Sequence, residues 1–162
     1  MPSEIVGDSN SESKSIKVSA LKQGTVIDHL KQGTALRTIN ILGLQSGTCT
    51  VMIGLSLESR THGTKDLIKI ENKELTQPEV NKIALLSPAA TISIIRNYKV
   101  VDKIHPELPE IVEGLVHCTN PSCVTNHYSD VTSRFIVVRQ HPIKLRCHFC
   151  ERCFSREEID LL

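Results

Sequence analysis

Four cysteines fall into two short-spaced pairs late in the chain. Cys118 and Cys123 lie in HCTNPSC, and Cys147 and Cys150 in CHFC. Tetrahedral thiolate coordination suits zinc, and two tight loops delivering two sulfurs each would complete its shell. Four thiolates leave no open position for water or substrate, so the expected site is structural. A small unit built around it would depend on the metal to fold. Cys153 overlaps the second pair in CHFCERC, so a 150/153 pairing with Cys147 free is the competing choice. The run IKLRC favours 147/150, because Ile143, Leu145 and Cys147 alternate onto one face and bring Cys147 to the strand's end. Cys153 then reads as a bystander on the return strand. His117, His127, His141 and His148 read as neighbours rather than ligands.

Other reactive groups are sparse. The sequence carries no nucleophile elbow, P-loop or paired-carboxylate arrangement. Asp28 and His29 read as a polar loop after a first strand, since adjacent residues usually point apart. In KDLIKIEN, Ile68 and Ile70 face one side while Lys65, Leu67 and Lys69 face the other. Lys69 is either a solvated outer-face residue or, with Lys103, part of an anion pocket, and spacing leaves both open. Cys49 sits in an apolar run and reads as a small buried thiol.

The elements that must position these groups divide in two. HPELPE, His105–Glu110, carries two prolines that disfavour helix and cannot donate to a strand ladder, so it is read as a linker. Residues 15–104 have the size of a small domain, and residues 111–162 are too few for a sufficient core without a staple. In the first unit SIKVSAL (Ser15–Leu21) alternates as a strand. TALRTINILG places Leu36, Ile39 and Leu42 at helical spacing, with Thr34 as N-cap and Gly43 at the C-cap. TVMIGLSL alternates as a half-buried strand whose apolar face is Val51, Ile53, Leu55 and Leu57. KDLIKIEN is expected to pair antiparallel with it. Thr76 and Glu79 form a capping box, Pro78 lies in the first turn, and Leu75 and Val80 occupy staple positions. That helix buries Val80, Ile83 and Ala84 and stops before Pro88. ATISII and YKVV return to strand. The order β-α-β-β-α-β plus a final strand is that of a ferredoxin-like α+β sandwich, followed here by a small all-β zinc-binding unit.

Composition narrows the partners. The formal net charge is +1, which gives no overall electrostatic case for a nucleic-acid or membrane-surface partner. From Pro106 onward six Arg/Lys face eight Asp/Glu, against nucleic-acid binding by the zinc unit. The first residues, MPSEIVGDSNSESKS, are polar, argue against a secretory signal and read as a disordered tail over residues 1–14. No apolar run approaches membrane-spanning length. A cytoplasmic protein with reduced thiols is the simplest expectation.

GTVIDHL, KDLIKIEN, NYKVV followed by Lys103, and the four-cysteine pattern together resemble the regulatory chain of aspartate carbamoyltransferase. The resemblance is collinear from about residue 16 to the C-terminus. It implies a noncatalytic subunit of pyrimidine biosynthesis, with an allosteric nucleotide-binding domain and a zinc domain, one Zn2+ per chain, that docks on the catalytic chain. Such chains dimerise through the allosteric domain and link catalytic trimers. CTP inhibits, UTP assists in some members, and ATP activates. By matching position, the resemblance puts Val18, Ser19, Ala20 and Leu21 beside the base and Asp28 and Lys69 at the ribose or base. It puts His29, Val100 and Lys103 near the phosphates and Tyr98 against the base through its backbone. Ser93 stands where many members carry Asn, and Ser122 where another Asn is common. Asn120 and Glu151 match positions that dock on the partner. Effector action would be a coupling free energy of ~1–3 kcal/mol between sites. The alternative is a stand-alone ligand-sensing ferredoxin-like domain with a zinc-ribbon interaction module.

Overall fold

The computed structural model describes residues 20–60 and 63–162. The expected N-terminal tail, the strand residues Ser15–Ser19 (Val18 and Ser19 among them) and two residues of the THGT loop lie outside them. Five strands form one antiparallel sheet: β1 Gln23–Lys31, β2 Val51–Ser59, β3 Gly63–Glu71, β4 Thr91–Arg96 and β5 Lys99–Ile104. Helices α1 (Ala35–Ile41) and α2 (Gln77–Leu86) complete this unit. The strand order β2-β3-β1-β4-β5 is the ferredoxin-like arrangement with a fifth strand added at one edge.

Of the expected strand Ser15–Leu21 only Ala20 and Leu21 are described. Ala20 and Leu21 are not in strand, and β1 instead contains Asp28 and His29 at the centre of the sheet. A β-bulge between Ile27 and Leu30, with His29 at φ 58°, explains why alternation failed there. The extra residue leaves Ile27 and Leu30, three apart, both fully buried on the helix side. Gly24 opens the strand at φ +138°, where a Cβ would collide with the Ile70 carbonyl oxygen.

In α1 the buried face is Ala35, Thr38, Ile39 and Leu42, and Leu36 is 56% exposed rather than inward. Thr38 tolerates burial because its hydroxyl donates to the Thr34 carbonyl at 2.9 Å. The α2 start matches its sequence signature. Glu79 accepts from the Thr76 backbone N–H at 2.8 Å and from its hydroxyl, Pro78 is in the first turn, and Val80, Ile83 and Ala84 are buried. β2 pairs with β3 as expected, but a bulge between Gly54 and Leu57, with Ser56 at φ 53°, breaks its alternation. Leu57 is opposite Lys65, on the face away from Ile53, and Ile53 and Leu55 are 43% and 50% exposed. β2 is an edge strand; Val51 packs against the first core and Leu36 of α1 shares a hollow with Leu55, but Ile53 and Leu55 stay open to solvent. Tyr98 does not open a strand but sits with Asn97 in the two-residue β4–β5 turn, φ 62° and 50°.

After His105–Glu110, which forms no regular element, come β6 Ile111–Glu113, β7 Val116–His117, β8 Arg134–Arg139, β9 Lys144–Cys147, β10 Cys153–Ser155 and β11 Asp160–Leu161. β10-β9-β8-β6 make a four-stranded sheet, and β11 pairs with β7. Ile143, Leu145 and Cys147 are all buried, as their phase predicts, with Phe135 and Phe154 in edge-to-face contact at 6.3 Å. This second core also takes in Ala84 and Leu85, from the C-terminal end of α2.

Candidate metal centre and sheet face

The second core converges on sulfur. β9 ends at Cys147, and the turn that follows brings Cys150 back beneath it. The Glu151 N–H donates to the Cys147 carbonyl at 3.0 Å, with Glu151 at φ 60°, and the Cys147 N–H donates to the Arg152 carbonyl at 2.9 Å. The opposing loop is closed around Asn120 and Asn126. Asn126 donates its side-chain amide to the carbonyls of Cys118 and Asn120 at 2.8 and 2.7 Å, and the Cys123 N–H donates to the Asn120 carbonyl at 3.0 Å. The four Sγ atoms of Cys118, Cys123, Cys147 and Cys150 lie within 4.8 Å of one another.

Their spacing tests the metal directly. Cys118 and Cys150 sulfurs are 3.7 Å apart, and those of Cys123 and Cys147 are 3.8 Å apart. A tetrahedron with Zn–S bonds of about 2.3 Å has edges of about 3.8 Å. The donor set therefore fits one structural zinc ion with a closed shell. Protonation chemistry agrees. Burial pushes the Cys118 and Cys147 thiols up, and the neighbouring sulfurs add to it. At Cys150 burial is outweighed by hydrogen bonds from the Asn120 side chain and the Arg152 backbone, which bring the thiol down to about 7. A cation at the centre removes the mutual repulsion that opposes further ionisation. Cys153 is exposed on β10 and outside the cluster, and among the described residues no histidine belongs to it.

The matched docking positions differ from each other. Asn120 is buried, accepting the Ser122 N–H at 3.3 Å, so it works from inside the metal loop. Glu151 is exposed at the knuckle beside it.

The remaining candidates lie on the face of the five-stranded sheet away from the helices. Antiparallel register aligns Lys69, Val26, Ser93 and Lys103 in one transverse row across β3, β1, β4 and β5. Residues opposed in such a row share a face, and three strand spacings separate Lys69 from Lys103, about 14 Å. Val100, opposite Ile95, is on the same face. Asp28, two residues beyond Val26, is opposite Thr91 and bonds Lys65 at 2.7 Å. Burial opposes its charge, but Lys65 and the His29 N–H hold its carboxyl below the usual carboxylate range. His29 stands in the bulge and lines a crevice at the sheet's end rather than the lysine row. The Tyr98 N–H donates to the Lys22 carbonyl at 3.1 Å, which carries the segment with Ala20 and Leu21 alongside the β4–β5 turn. Position of Lys65 beside Asp28 was missed from sequence, because the pairing crosses strands. Its only signal was a lysine on the same face as Lys69.

Comparison with known proteins agrees with both halves of this description. Residues 16–107 match the family described as aspartate carbamoyltransferase regulatory chain, allosteric domain, and residues 110–160 match its metal binding domain. The chain is 51% identical over 146 residues to the aspartate carbamoyltransferase regulatory chain of Pyrococcus horikoshii, covering 89% of this chain and 95% of that one. The protein of the same name from Pyrococcus furiosus is 49% identical over 147 residues, with coverage of 89% and 95%. That of Methanothermobacter thermautotrophicus is 43% identical over 145 residues, with coverage of 90% and 93%.

Proposed function

This chain belongs to the aspartate carbamoyltransferase regulatory chain family, and from that premise we propose that it binds nucleoside triphosphates on its open sheet face and docks on the catalytic chain through its metal-held unit. The chain is a non-catalytic regulatory subunit. Residues 15–104 would sense the effector, residues 111–162 would engage the catalytic trimer, and 105–110 would join them.

The observation that carries the nucleotide reading is the row Lys69–Val26–Ser93–Lys103. Two lysines about 14 Å apart on one sheet face suit an elongated ligand with an anionic tail. Ser93 offers one hydroxyl between them. Tyr98, Ala20 and Leu21 supply backbone groups at one end of the face, and Val100 offers an apolar contact. Asp28, its charge favoured by Lys65, stands ready to accept from a ribose or base. CTP, UTP and ATP are the effectors to test. An effector acts only through its differential affinity for two quaternary states, so binding and regulation are separate measurements. Calorimetry on the full chain should give one nucleotide site, with affinity lowered about tenfold or more in Lys103→Ala. Unchanged affinity would remove Lys103 from the phosphate site.

Self-association is supported by the uncovered edge strand. Ile53 and Leu55 are exposed on β2, and Leu36 of α1 lines the same hollow as Leu55. A regulatory dimer would bury this strip, and Leu55→Asp should shift sedimentation toward monomer. For the metal-held unit, Glu151 is the exposed contact, and Asn120 contributes by fixing the loop. Chelating zinc should release catalytic trimers from the assembled enzyme, whereas persistence of the complex would remove the docking role. No described helix is long and apolar enough to cross a membrane. The reduced thiols that the site needs favour work in the cytoplasm.

A further inference from the structure

A crevice of about 450 Å3 opens where the end of the five-stranded sheet meets the metal-held unit. Its walls come from the end of β1 (His29–Gln32), the start of β3 (Thr64, Lys65), the loop after α2 (Ser87–Ala89) and Arg156, between β10 and β11. The volume is that of a small-molecule site. Among its lining residues are His29, Lys31, Lys65 and Arg156, and no carboxylate. Lys65 is already paired with Asp28 at 2.7 Å, but Lys31 and Arg156 have no ion pair among the described residues.

We propose that this crevice is a separate anion-binding site, which takes a small phosphate-bearing or polycarboxylate molecule between Arg156 and Lys31. Arg156 is held for the task. Its Nε donates to the Leu85 carbonyl at 3.0 Å, which fixes the guanidinium plane and leaves the two terminal nitrogens for a bidentate acceptor. Lys31 is fixed at its backbone, where its N–H donates to Ser87 Oγ at 3.2 Å. Burial lowers the Arg156 pKa; the Glu157 charge opposes this and nearby Arg37 adds to it. Lys31 and Arg156 also border an adjoining crevice lined by Arg37, Glu157 and Asp160, whereas no carboxylate lines this one. An anion between the two cations relieves that desolvated charge.

The crevice shares His29, and the Lys65 that pairs with Asp28, with the region the resemblance assigns to nucleotide, but Lys31 and Arg156 belong to neither that region nor the lysine row. Lys65 is four residues from Lys69 along β3, about 13 Å. It draws on both units, so an occupant would bridge the sheet and the metal-held unit at the same junction where Leu85 joins the second core. The inference stands whether or not the open face binds nucleotide.

Pyrophosphate is the probe, titrated by calorimetry into the full-length, zinc-loaded chain with and without excess CTP. The expected result is one event per chain that persists in CTP. It should weaken about tenfold or more in Arg156→Gln and in Lys31→Gln, and stay unchanged in Lys103→Gln. Zinc content and circular dichroism verify that the variants fold, and Arg156→Lys should retain part of the affinity. Absence of binding at millimolar pyrophosphate, affinity equal to the parent chain's in either Gln variant, or displacement by CTP would each overturn the proposal. Displacement would assign the anion to the lysine row instead, and a chain that ignores CTP still answers through Arg156 and Lys31.

Discussion

The two cores of this chain are built on different principles. The first brings together Ile27, Leu30, Ile68, Ile70, Ile83 and Ile92, all at or near zero exposure, between a sheet and two helices. Aliphatic burial suffices there, because the sheet and helices enclose a complete apolar layer. The second has one large aromatic at its centre, Phe135, and three of its buried residues are cysteines aimed at one another. Thiols grouped at 3.7–3.8 Å are poor core material unless a cation holds them. This unit also relies on Ala84 and Leu85 from the neighbouring helix, and on Arg156 reaching to the Leu85 carbonyl. The sheet unit is therefore expected to hold its shape without its neighbour, and the metal-held unit to need both an ion and the end of α2. A regulatory chain gains from that asymmetry. On the proposed function the sheet would read a ligand, and the dependent unit would register what happens at α2.

Metal removal is the sharpest way to break the comparison. Binding free energy of a structural zinc site is folding free energy, about 10 kcal/mol or more. Chelation, or Cys147→Ser, should therefore unfold β6–β11 outright. Hydrogen exchange should show those amides losing protection while β1, β3 and β4 keep theirs. Loss of protection in the last turn of α2 is also expected, because Leu85 would lose its cover. Equal loss across both sheets would mean that the two cores are one cooperative unit.

A smaller effect tests the sheet unit alone. Asp66 is fully buried, and its carboxylate accepts from the backbone N–H groups of Gly33 at 2.8 Å, Ala35 at 3.2 Å and Ser56 at 3.0 Å. It thus ties the start of α1 and the β2 bulge to β3. Asp66→Ala leaves three backbone donors, the buried Ala35 N–H among them, without their acceptor and should cost about 3 kcal/mol by chemical denaturation. Zinc content should stay at one per chain. A change in metal retention would show that the two cores communicate through α1 as well as α2.

These sites also mark what sequence could and could not reveal. Where one face is buried and the strand is regular, phase was enough: Ile143, Leu145 and Cys147 point inward together, and Ile68 and Ile70 do the same. The capping box at Thr76 was equally plain, since its geometry is entirely local. β1 was hidden by its bulge, which places Ile27 and Leu30 on one side and breaks the two-residue period. Thr38 disguised the buried face of α1, because its hydroxyl is satisfied within the helix. Val51 and Ile53 keep phase with Ile70 and Ile68, but the bulge at Gly54–Leu57 turns Leu57 to the other face, and alternation cannot say whether anything covers Ile53. The lysine row needed strand register, which joins residues as distant as Lys69 and Lys103.

The α2 cap offers a gentler probe of the element that both cores share. Thr76→Ala should lower stability by about 1 kcal/mol in a denaturant melt. Burial opposes the Glu79 charge, but Lys73 at 2.7 Å and the Thr76 N–H and hydroxyl together lower its pKa from the ordinary 4.5. A lowered carboxylate pKa contributes stability that is present above the ordinary value and lost as pH falls through the folded one. The penalty of Thr76→Ala should therefore shrink on acidification across that range. The reach of the effect is informative, since β6–β11 should follow the sheet unit only as far as α2's last turn carries it.

The smallest expected effect concerns the cysteine that proximity to the cluster makes tempting. Cys153 follows Cys150 at the same spacing as Cys150 follows Cys147, yet strand geometry separates them. β10 pairs Cys153 with Arg146, one residue off the Cys147 phase, and the alternation that buries Leu145 and Phe154 turns Cys153 outward. Its sulfur is not among the four that lie within 4.8 Å. Cys153→Ser should change stability by no more than about 0.5 kcal/mol, as expected for an exposed position with no buried role. Zinc stoichiometry and retention against a chelator should match the parent chain. A Cys150→Ser variant measured beside it should lose the metal, because its sulfur is 3.7 Å from that of Cys118 and closes the tetrahedron. Two cysteines three residues apart would then differ as completely as the two cores do, one held by coordination and the other merely carried on a strand.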